Sequence, residues 1–219
     1  INGHPPGWGQ GSTHGPAFLA DPQVCTACHG ADLTGGTAKK SCDSCHSGWQ
    51  TNCSFCHGSK TNPAPPKALS GATATTDPGV GAHQSHLATS TWHAPLACTD
   101  CHIVPKTIFE AGHFDSALPA ELTFSALAKG GGAPAFDGTK CDNTYCHGAT
   151  LSGGTVTAPV WTKVDGSQSK CGACHSLPPT ANHPASTDCS TCHAAVVDAS
   201  KKIIAPLLHI DGKLSVTSG

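Results

Sequence analysis

The sequence predicts a mostly irregular chain with short helices and small hairpins, in which side chains alone do not form the core. Leu, Ile, Val and Phe account for only 34 of the 219 residues, fewer than a globular domain of this length normally uses. The 25 glycines and 17 prolines interrupt regular elements throughout the chain. Something other than side chains must therefore fill the interior.

The composition also excludes several classes of partner. The chain has 12 basic and 14 acidic residues, and every basic residue is lysine, so we expect no nucleic-acid surface and no arginine clamp for phosphate. No run of about 18 apolar residues is present, so no transmembrane segment is expected. Because the chain begins at Ile1 without a basic and apolar leader, we expect a processed, exported protein.

Fourteen cysteines form seven close pairs, and a histidine directly follows the second cysteine of each pair. Six motifs are C-x-x-C-H, the attachment sequence of c-type haem, and the fifth is the longer C-x-x-x-x-C-H. Two thiols add to the haem vinyl groups, and the adjacent histidine becomes the proximal iron ligand. The motifs are Cys25/Cys28/His29, Cys42/Cys45/His46, Cys53/Cys56/His57, Cys98/Cys101/His102, Cys141/Cys146/His147, Cys171/Cys174/His175 and Cys189/Cys192/His193.

Two other uses of paired cysteines are zinc or redox-dithiol sites and a set of seven disulfides. Neither explains why all seven second cysteines precede histidine. The sequence therefore predicts a seven-haem c-type cytochrome with seven haem c groups, and the stacked haems are its core.

The sixth iron ligand is predicted to be histidine at every site. The chain contains no methionine, which excludes His/Met ligation, and eight histidines lie outside the motifs. Bis-histidine ligation leaves no open iron, so electron transfer is favoured over catalysis and no catalytic residue is predicted. One histidine remains in excess, and His93 is the weakest candidate because it lies only five residues before Cys98. The eight are His4, His14, His83, His86, His93, His113, His183 and His209.

Along the chain, three segments are expected within one continuous structural unit. Residues 1–60 carry three motifs and a ligand-bearing arm, residues 61–80 form a Pro/Ala/Thr-rich strap, and residues 81–219 carry four motifs. In the last segment we expect a short helix at 116–129 ended by glycines, short extended pieces at 154–166, and a small hairpin at 207–216.

A nine-residue pattern, CHGAxLxGG, occurs twice, at residues 28–36 and 146–154. It indicates that two haem sites share one local turn. An ancient duplication and a shared steric demand for glycine beside the haem both explain it.

With these motifs, the chain resembles the C-x4-C-H/C-x-x-C-H multihaem c-type cytochromes of metal-reducing bacteria. The resemblance implies bis-histidine haems in a continuous row for extracellular electron transfer, with His83, His86, His113, His183 and His209 as distal ligands. It is carried by GAHQSH (81–86), AGHFD (111–115), YCHG (145–148), APVWT (158–162), CGACHSLPP (171–179), HP (183–184) and HIDG (209–212), and in the N-terminal part by HPPGW (4–8), HG (14–15) and CHGADLTGG (28–36).

Some similar cytochromes polymerise into filaments in which a histidine of one subunit ligates a haem of the next. His4 and His14 lie on a Gly/Pro-rich arm, so one of them could reach a second copy, and the alternative is that both fold back on their own chain.

The favoured function is thus an extracellular electron conduit that forms a conductive filament. Its partners are copies of itself, other redox proteins and extracellular electron acceptors. The alternatives are a discrete soluble carrier, periplasmic or extracellular, and a multihaem reductase with an open iron. The absence of arginine weighs against the reductase, which needs groups to stabilise a bound anion.

Overall fold

A computed structural model describes residues 3–64, 66–179 and 182–217. Over these residues the chain is mostly coil and turn, as the sequence predicts, and its few regular elements are short. A two-stranded antiparallel sheet pairs Ala135 with Asp142 and Phe136 with Cys141. The helices are α1 (Gly11–Ala20), α2 (Gln23–His29), α3 (His83–Leu87), α4 (Ala126–Lys129) and α5 (Ser190–His193), and the strands are β1 (Ala135–Phe136) and β2 (Cys141–Asp142).

Most motifs coincide with a single helical turn. The first and last motifs end in α2 and α5, and four others contain 3-10 turns at Cys42–Ser44, Cys53–Phe55, Cys98–Asp100 and Tyr145–His147. In the second, fourth and last motifs, the histidine N–H donates to the carbonyl of the first cysteine at 2.9 Å. This bond spans C-x-x-C-H, so the motif spacing itself forms the turn that brings the histidine back beside the cysteines.

In the loops, aspartate carboxylates accept hydrogen bonds from backbone N–H groups. Asp32, Asp165 and Asp198 each accept from the backbone N–H of the residue two positions later. Such turns satisfy the backbone locally without helix or sheet, which suits a chain so rich in glycine and proline.

The chain divides into two compact units. The first contains Ile1–Cys53 and Pro105–Ala117, and the second contains Ser54–Val104 and Leu118–Gly219. In the first unit Leu33, Trp49 and Ile108 form a small buried cluster, against which Phe18 and Phe114 pack. In the second unit the buried apolar residues are small, namely Val80, Ala128, Ala173 and Val197.

The solvent-accessible area of the chain is larger than that of a compact protein of the same mass. The chain exposes 13493 Å². A compact protein of 22.0 kDa exposes about 9300 Å². The side chains of this polypeptide therefore bury less surface than those of a typical compact protein of the same mass.

Three local predictions need correction. Only Ala126–Lys129 of the predicted helix 116–129 is helical, because the N–H groups of Thr123 and Ser125 donate to the carbonyls of Cys101 and Asp100. Gly130 ends this helix at φ 49°, as predicted. Residues 154–166 form turns with one bridge, between Val160 and Lys140, instead of extended pieces.

The predicted hairpin at 207–216 is absent from the described residues of the tail. The backbone of the tail instead forms hydrogen bonds with the last motif. The Thr217 N–H donates to the Cys192 carbonyl at 2.8 Å, and the Ser215 carbonyl accepts from His193 Nδ1. The N-terminal arm, in turn, contains the ten-residue helix α1 despite Gly11, Gly15 and Pro16. No helix in the described part of the chain is long and apolar enough to cross a membrane.

Candidate haem-binding sites

Five histidine pairs stand out, and each joins one motif histidine to one histidine outside the motifs. Two pairs lie in the first unit and three in the second. The pairs are His4 with His29, His14 with His46, His83 with His102, His86 with His147 and His183 with His193, with ring centres 5.9, 5.9, 6.3, 6.0 and 6.1 Å apart.

These separations match what a shared iron requires. A metal–imidazole bond is about 2 Å long, so two histidines on opposite sides of one ion place their nitrogens about 4 Å apart. The ring centre lies about 1 Å behind each nitrogen, which gives about 6 Å between centres. All five pairs therefore fit axial ligation of one haem iron each.

The hydrogen bonds of the imidazoles fix their tautomer. Eleven histidines, including His29, His83, His86 and His102, bring Nδ1 within 3.0 Å of a backbone carbonyl oxygen. A carbonyl only accepts, so Nδ1 must carry the proton. Nε2 is then the unprotonated nitrogen, which is the form that binds a metal, and the carbonyl orients the ring.

Burial keeps several of these imidazoles neutral. It lowers the pKa of His147 from 6.5 to about 4, and the nearby His86 and His93 add to the effect. Burial also lowers the pKa of His83, His86 and His209. A neutral imidazole is the ligand form, so the surroundings favour ligation at neutral pH.

A cavity of about 410 Å³ surrounds the fifth motif in the second unit. This size lies within the range of cofactor-binding pockets. Both cysteines of the motif and both histidines of one pair face the cavity, so the attachment and ligand groups of one haem line the same space. The wall includes Cys141, Cys146, His86, His147, His93 and Trp161.

The fourth, fifth and sixth motifs are neighbours within the second unit. Burial raises the pKa of Cys141 and Cys146 to about 11, and the Cys101 thiol contributes because it lies close to both. Cys174 makes a smaller contribution to Cys146. In the first unit Cys25 affects Cys42 in the same way, so the first two motifs are also close.

The two cysteines of each of the first two motifs differ in burial. Cys28 and Cys45 are exposed. The first cysteines, Cys25 and Cys42, pack against the buried cluster around Leu33. Cys28 and Cys45 lie three residues further on, at the surface. Their role in haem attachment stays a prediction from the motif.

Exposure of this kind is shared by other attachment cysteines. A thioether holds only the edge of a haem, so the thiol can lie at the surface while the histidine ligand points inward. The other exposed cysteines are Cys53, Cys56, Cys98, Cys171 and Cys192, whereas Cys189 is partly buried.

Glycines allow the fifth and sixth motifs to meet. A Cβ on Gly148 or Gly154 would collide with the carbonyl oxygen of Cys174. Backbone bonds join the same segments, from Ser176 to Ser152 at 3.0 Å and from Val156 to Ala173 at 2.8 Å. Gly148 and Gly154, which follow the fifth motif, are therefore required because the two backbones approach so closely.

The repeated CHGAxLxGG pattern folds into the same turn in both copies. The leucine N–H donates to the first glycine carbonyl, at 2.9 Å from Leu33 to Gly30 and at 3.0 Å from Leu151 to Gly148. Gly30 and Gly148 have φ values of 87° and 91°. The two copies differ in burial, since Leu33 is fully buried while Leu151 is exposed. The common turn is expected under both explanations of the pattern.

The remaining predicted ligands have these positions. His209 and His175 are close enough for His175 to lower the pKa of His209, after the larger effect of burial. His113 and His57 are half-buried, and His113 Nδ1 bonds to the Ile108 carbonyl at 2.7 Å. His93 is buried, belongs to none of the five pairs, and packs against Trp92 with ring centres 4.5 Å apart.

None of the fourteen cysteines, all of which lie in the described ranges, forms a disulfide. In the described ranges, 3–64, 66–179 and 182–217, no three His, Cys, Asp or Glu side chains cluster as a metal-ion site would.

The sequence did not predict which groups orient the histidine imidazoles. The backbone carbonyls carry no sequence signal. Trp8 stacks on His4 with ring centres 4.7 Å apart, and Trp161 contacts both His83 and His86.

The coil-rich fold and the C-x-x-C-H sites fit the class of multihaem c-type cytochromes, and the motifs indicate covalently bound c-type haem. More particularly, residues 140–175 match the family model described as the Geobacter CxxxxCH...CXXCH motif. This match includes the whole fifth and sixth motifs, and it points to electron transfer rather than catalysis. No curated protein and no solved structure showed significant similarity to the chain.

Proposed function

We propose that this chain carries electrons through a row of seven bis-histidine c-type haems outside the cell, as a subunit of a conductive filament. The observation that carries the proposal is the set of five pairs, each made of one motif and one non-motif histidine about 6 Å apart. When bound, a haem iron alternates between the ferrous and ferric states and thereby accepts and releases one electron.

The five pairs propose ten of the ligands, and His175 and His209 are proposed as two more from their sequence positions; both His175 and His93 are close enough to His209 to lower its pKa, after the larger effect of burial. His57 and His113 are proposed as ligands from their sequence positions. The motif cysteines hold the haems covalently. His93 is the histidine left over, in agreement with its burial outside the five pairs.

The residues of the chain perform three tasks in this function. The paired imidazoles would hold the iron of a bound haem from both sides, which would leave no open position for substrate. The backbone carbonyls at Nδ1 hold each ring in the ligand tautomer. The closeness of Cys101 to Cys141 and Cys146, and of Cys146 to Cys174, supports a row of adjacent haems in the second unit.

The location outside the cell and the filament rest on the resemblance to extracellular cytochromes. Ligation between subunits by His4 or His14 remains a prediction. The pairs of His4 with His29 and of His14 with His46 supply a competing arrangement within one chain.

The central experiment is a haem count and an electron paramagnetic resonance spectrum of the purified haem-bearing protein. We expect seven haems per chain, all low-spin in the ferric state. A count below seven contradicts the proposed number, and a high-spin five-coordinate signal contradicts complete bis-histidine ligation.

Negative-stain electron microscopy tests the assembly separately. Long uniform filaments support the filament. Discrete particles at every concentration favour a shuttle carrier and assign His4 and His14 to their own chain.

A further inference from the structure

We infer that Trp161 is a positioning residue that sets the ring planes of two distal ligands, His83 and His86, and gives their two haems different axial geometries. The inference rests on the proposed function, because it takes both histidines as haem ligands. It deepens that function by assigning unlike properties to two neighbouring haems in the second unit.

Trp161 is fixed from two directions. Its indole Nε1–H donates to the Pro78 carbonyl at 2.8 Å, and its backbone N–H donates to the Thr139 carbonyl at 2.8 Å. The preceding residue, Val160, forms a bridge with Lys140 next to the strand that carries Cys141. The indole is therefore held between the segment before α3 and the fifth motif.

The same indole contacts both ligands of α3 in different ways. The His83 ring meets it edge-on, with ring centres 4.8 Å apart and an angle of 88° between planes. The His86 ring lies nearly parallel to it, at 5.6 Å and 30°. The two histidines are three residues apart on one helical turn and would otherwise share a face. Through Trp161 their planes are far from parallel.

Gly81 permits this close contact. A Cβ on Gly81 would overlap Nε1, Cε2 and Cδ1 of Trp161, and the backbone there has a φ of 42°. Any larger residue would displace the indole from its place beside α3.

The consequence appears in the two ligand pairs. His83 and His102 are nearly parallel, at 24°, whereas His86 and His147 are nearly perpendicular, at 83°. The pairs of His4 with His29 and of His183 with His193 are both at 20°, and that of His14 with His46 is at 49°. Of the five pairs, only the one at the C-x-x-x-x-C-H motif approaches a right angle.

The angle between axial imidazole planes has a direct electronic effect. Two d orbitals of the iron interact with the axial imidazoles. Parallel rings both donate into the same one of these orbitals, which separates the two in energy. Perpendicular rings donate into one orbital each, so the two orbitals stay nearly equal in energy. Near-equal orbitals give a ferric low-spin signal with an unusually large maximum g value, and ligand orientation is one lever on the reduction potential. Trp161 thus marks the fifth haem as electronically distinct from the fourth.

The test is electron paramagnetic resonance of the oxidised haem-bearing protein, with Trp161→Leu compared with the wild type. We expect one large-g signal in the wild type and its loss in Trp161→Leu, with the haem count and the total low-spin intensity unchanged. Trp8→Leu is the matched control, because the Trp8 ring stacks on His4, the non-motif histidine of a nearly parallel pair in the first unit. That variant should keep the large-g signal.

Gly81→Ala provides a second variant, since it displaces the indole without removing it, and it should also lose the signal. A large-g signal that persists unchanged in both variants overturns the inference. So does a wild-type spectrum that contains only ordinary rhombic low-spin signals, a result that leaves the proposed function intact. High-spin haem in the wild type would instead overturn the proposed function.

Discussion

Among single residues, His93 is buried without belonging to one of the five histidine pairs. Its side chain is only 7% exposed and its Nδ1 donates to the Ala94 carbonyl at 2.6 Å, as in the paired histidines. It nevertheless lies outside the five pairs. Its position shortly before Cys98 makes it the weakest ligand candidate in the sequence, whereas burial alone would suggest a ligand.

His183 and His93 allow a direct comparison of a histidine proposed as a ligand with one proposed not to be. His183→Ala should convert one haem from low-spin to high-spin, because His193 then remains the one axial imidazole of its pair. Added imidazole should restore the low-spin spectrum. The measurement is the optical and electron paramagnetic resonance spectrum of the oxidised protein.

In the same assay His93→Ala should leave every haem low-spin. A high-spin haem in His93→Ala, or a fully low-spin His183→Ala protein, would show that the ligand assignment of these two histidines is wrong.

Gly148 tests the close packing of the fifth and sixth motifs. Gly148→Ala adds a Cβ that collides with the Cys174 carbonyl, at a backbone φ of 91°. We expect a loss of unfolding free energy of about 3 kcal/mol or more, the sum of left-handed backbone strain and overpacking. Thermal or denaturant unfolding of the haem-bearing protein measures it.

Gly131 is the matched control, since its φ of 89° is nearly the same and nothing lies within 4 Å of an added Cβ. Gly131→Ala should cost only the backbone strain, about 1 kcal/mol. Equal losses in the two variants would mean that contact with Cys174 contributes nothing.

At the level of elements, the one-turn helix α4 is tied to the fourth motif through its N-cap. The Ser125 hydroxyl accepts from the Ala128 N–H at 3.1 Å and donates to Asp100 Oδ1 at 2.9 Å. Asp100 Oδ2 in turn accepts from the Ala97 N–H at the start of the motif turn. A helix of four residues is not stable by itself, so this cap links its formation to the motif.

Ser125→Ala should therefore lower the unfolding free energy by about 1 to 2 kcal/mol, the usual cost of a lost N-cap. Thermal unfolding measures the loss. Ser200→Ala is the control: its hydroxyl also donates to an aspartate, Asp198, but in an exposed turn that caps no helix. The cap is unimportant if both variants unfold at the same temperature.

The elements also show where sequence reasoning succeeds and fails. The motif turns were predictable because the attachment chemistry fixes the spacing of cysteine and histidine. The end of α4 was predictable because Gly130 adopts a left-handed conformation. The rest of the predicted helix, residues 116–125, failed because its N–H groups bond to the fourth motif, far away in sequence.

The candidate haem sites, too, were only partly predictable from the sequence. The residue types and the eight spare histidines were predictable from counting. The pairing of His86 with His147 across 61 positions was not, nor was the role of Trp161, because both depend on how distant loops pack. The exposure of Cys28 and Cys45 was not predictable either, since the motif fixes the spacing of the thiols but not which of them meets the buried cluster.

At the level of the whole molecule, the small side-chain core makes folding dependent on haem. The chain exposes 13493 Å², and its buried apolar residues are few. Chain made without haem attachment should therefore lack cooperative thermal unfolding and be cut rapidly by protease, whereas the haem-bearing protein should resist. Cooperative unfolding of the haem-free chain would show that the side chains suffice.

Acid should destabilise the protein through its buried imidazoles. Burial lowers the pKa of His147 from 6.5 to about 4 and moves those of His83, His86 and His209 in the same direction. Between these values the unfolded chain binds protons that the folded chain does not, so the unfolding free energy falls as the pH decreases from about 6.5 to about 4.

The measurement is the thermal midpoint of the haem-bearing protein across that pH range, with the low-spin absorbance recorded in parallel. These imidazoles should contribute no further change above about pH 7.5, where they are neutral in both states. A midpoint that stays constant or rises on acidification would contradict the assignment of buried, neutral ligands.

The carbonyl bonds to Nδ1 also bear on how such a protein can evolve. His29 is held by the carbonyl of Lys40 and His102 by that of Glu121, and every amino acid offers the same oxygen at those places. Mutation can replace either side chain without removing the bond. We therefore expect selection to act most strongly on the cysteines, the histidines and the close-packed glycines, and more weakly on the intervening sequence.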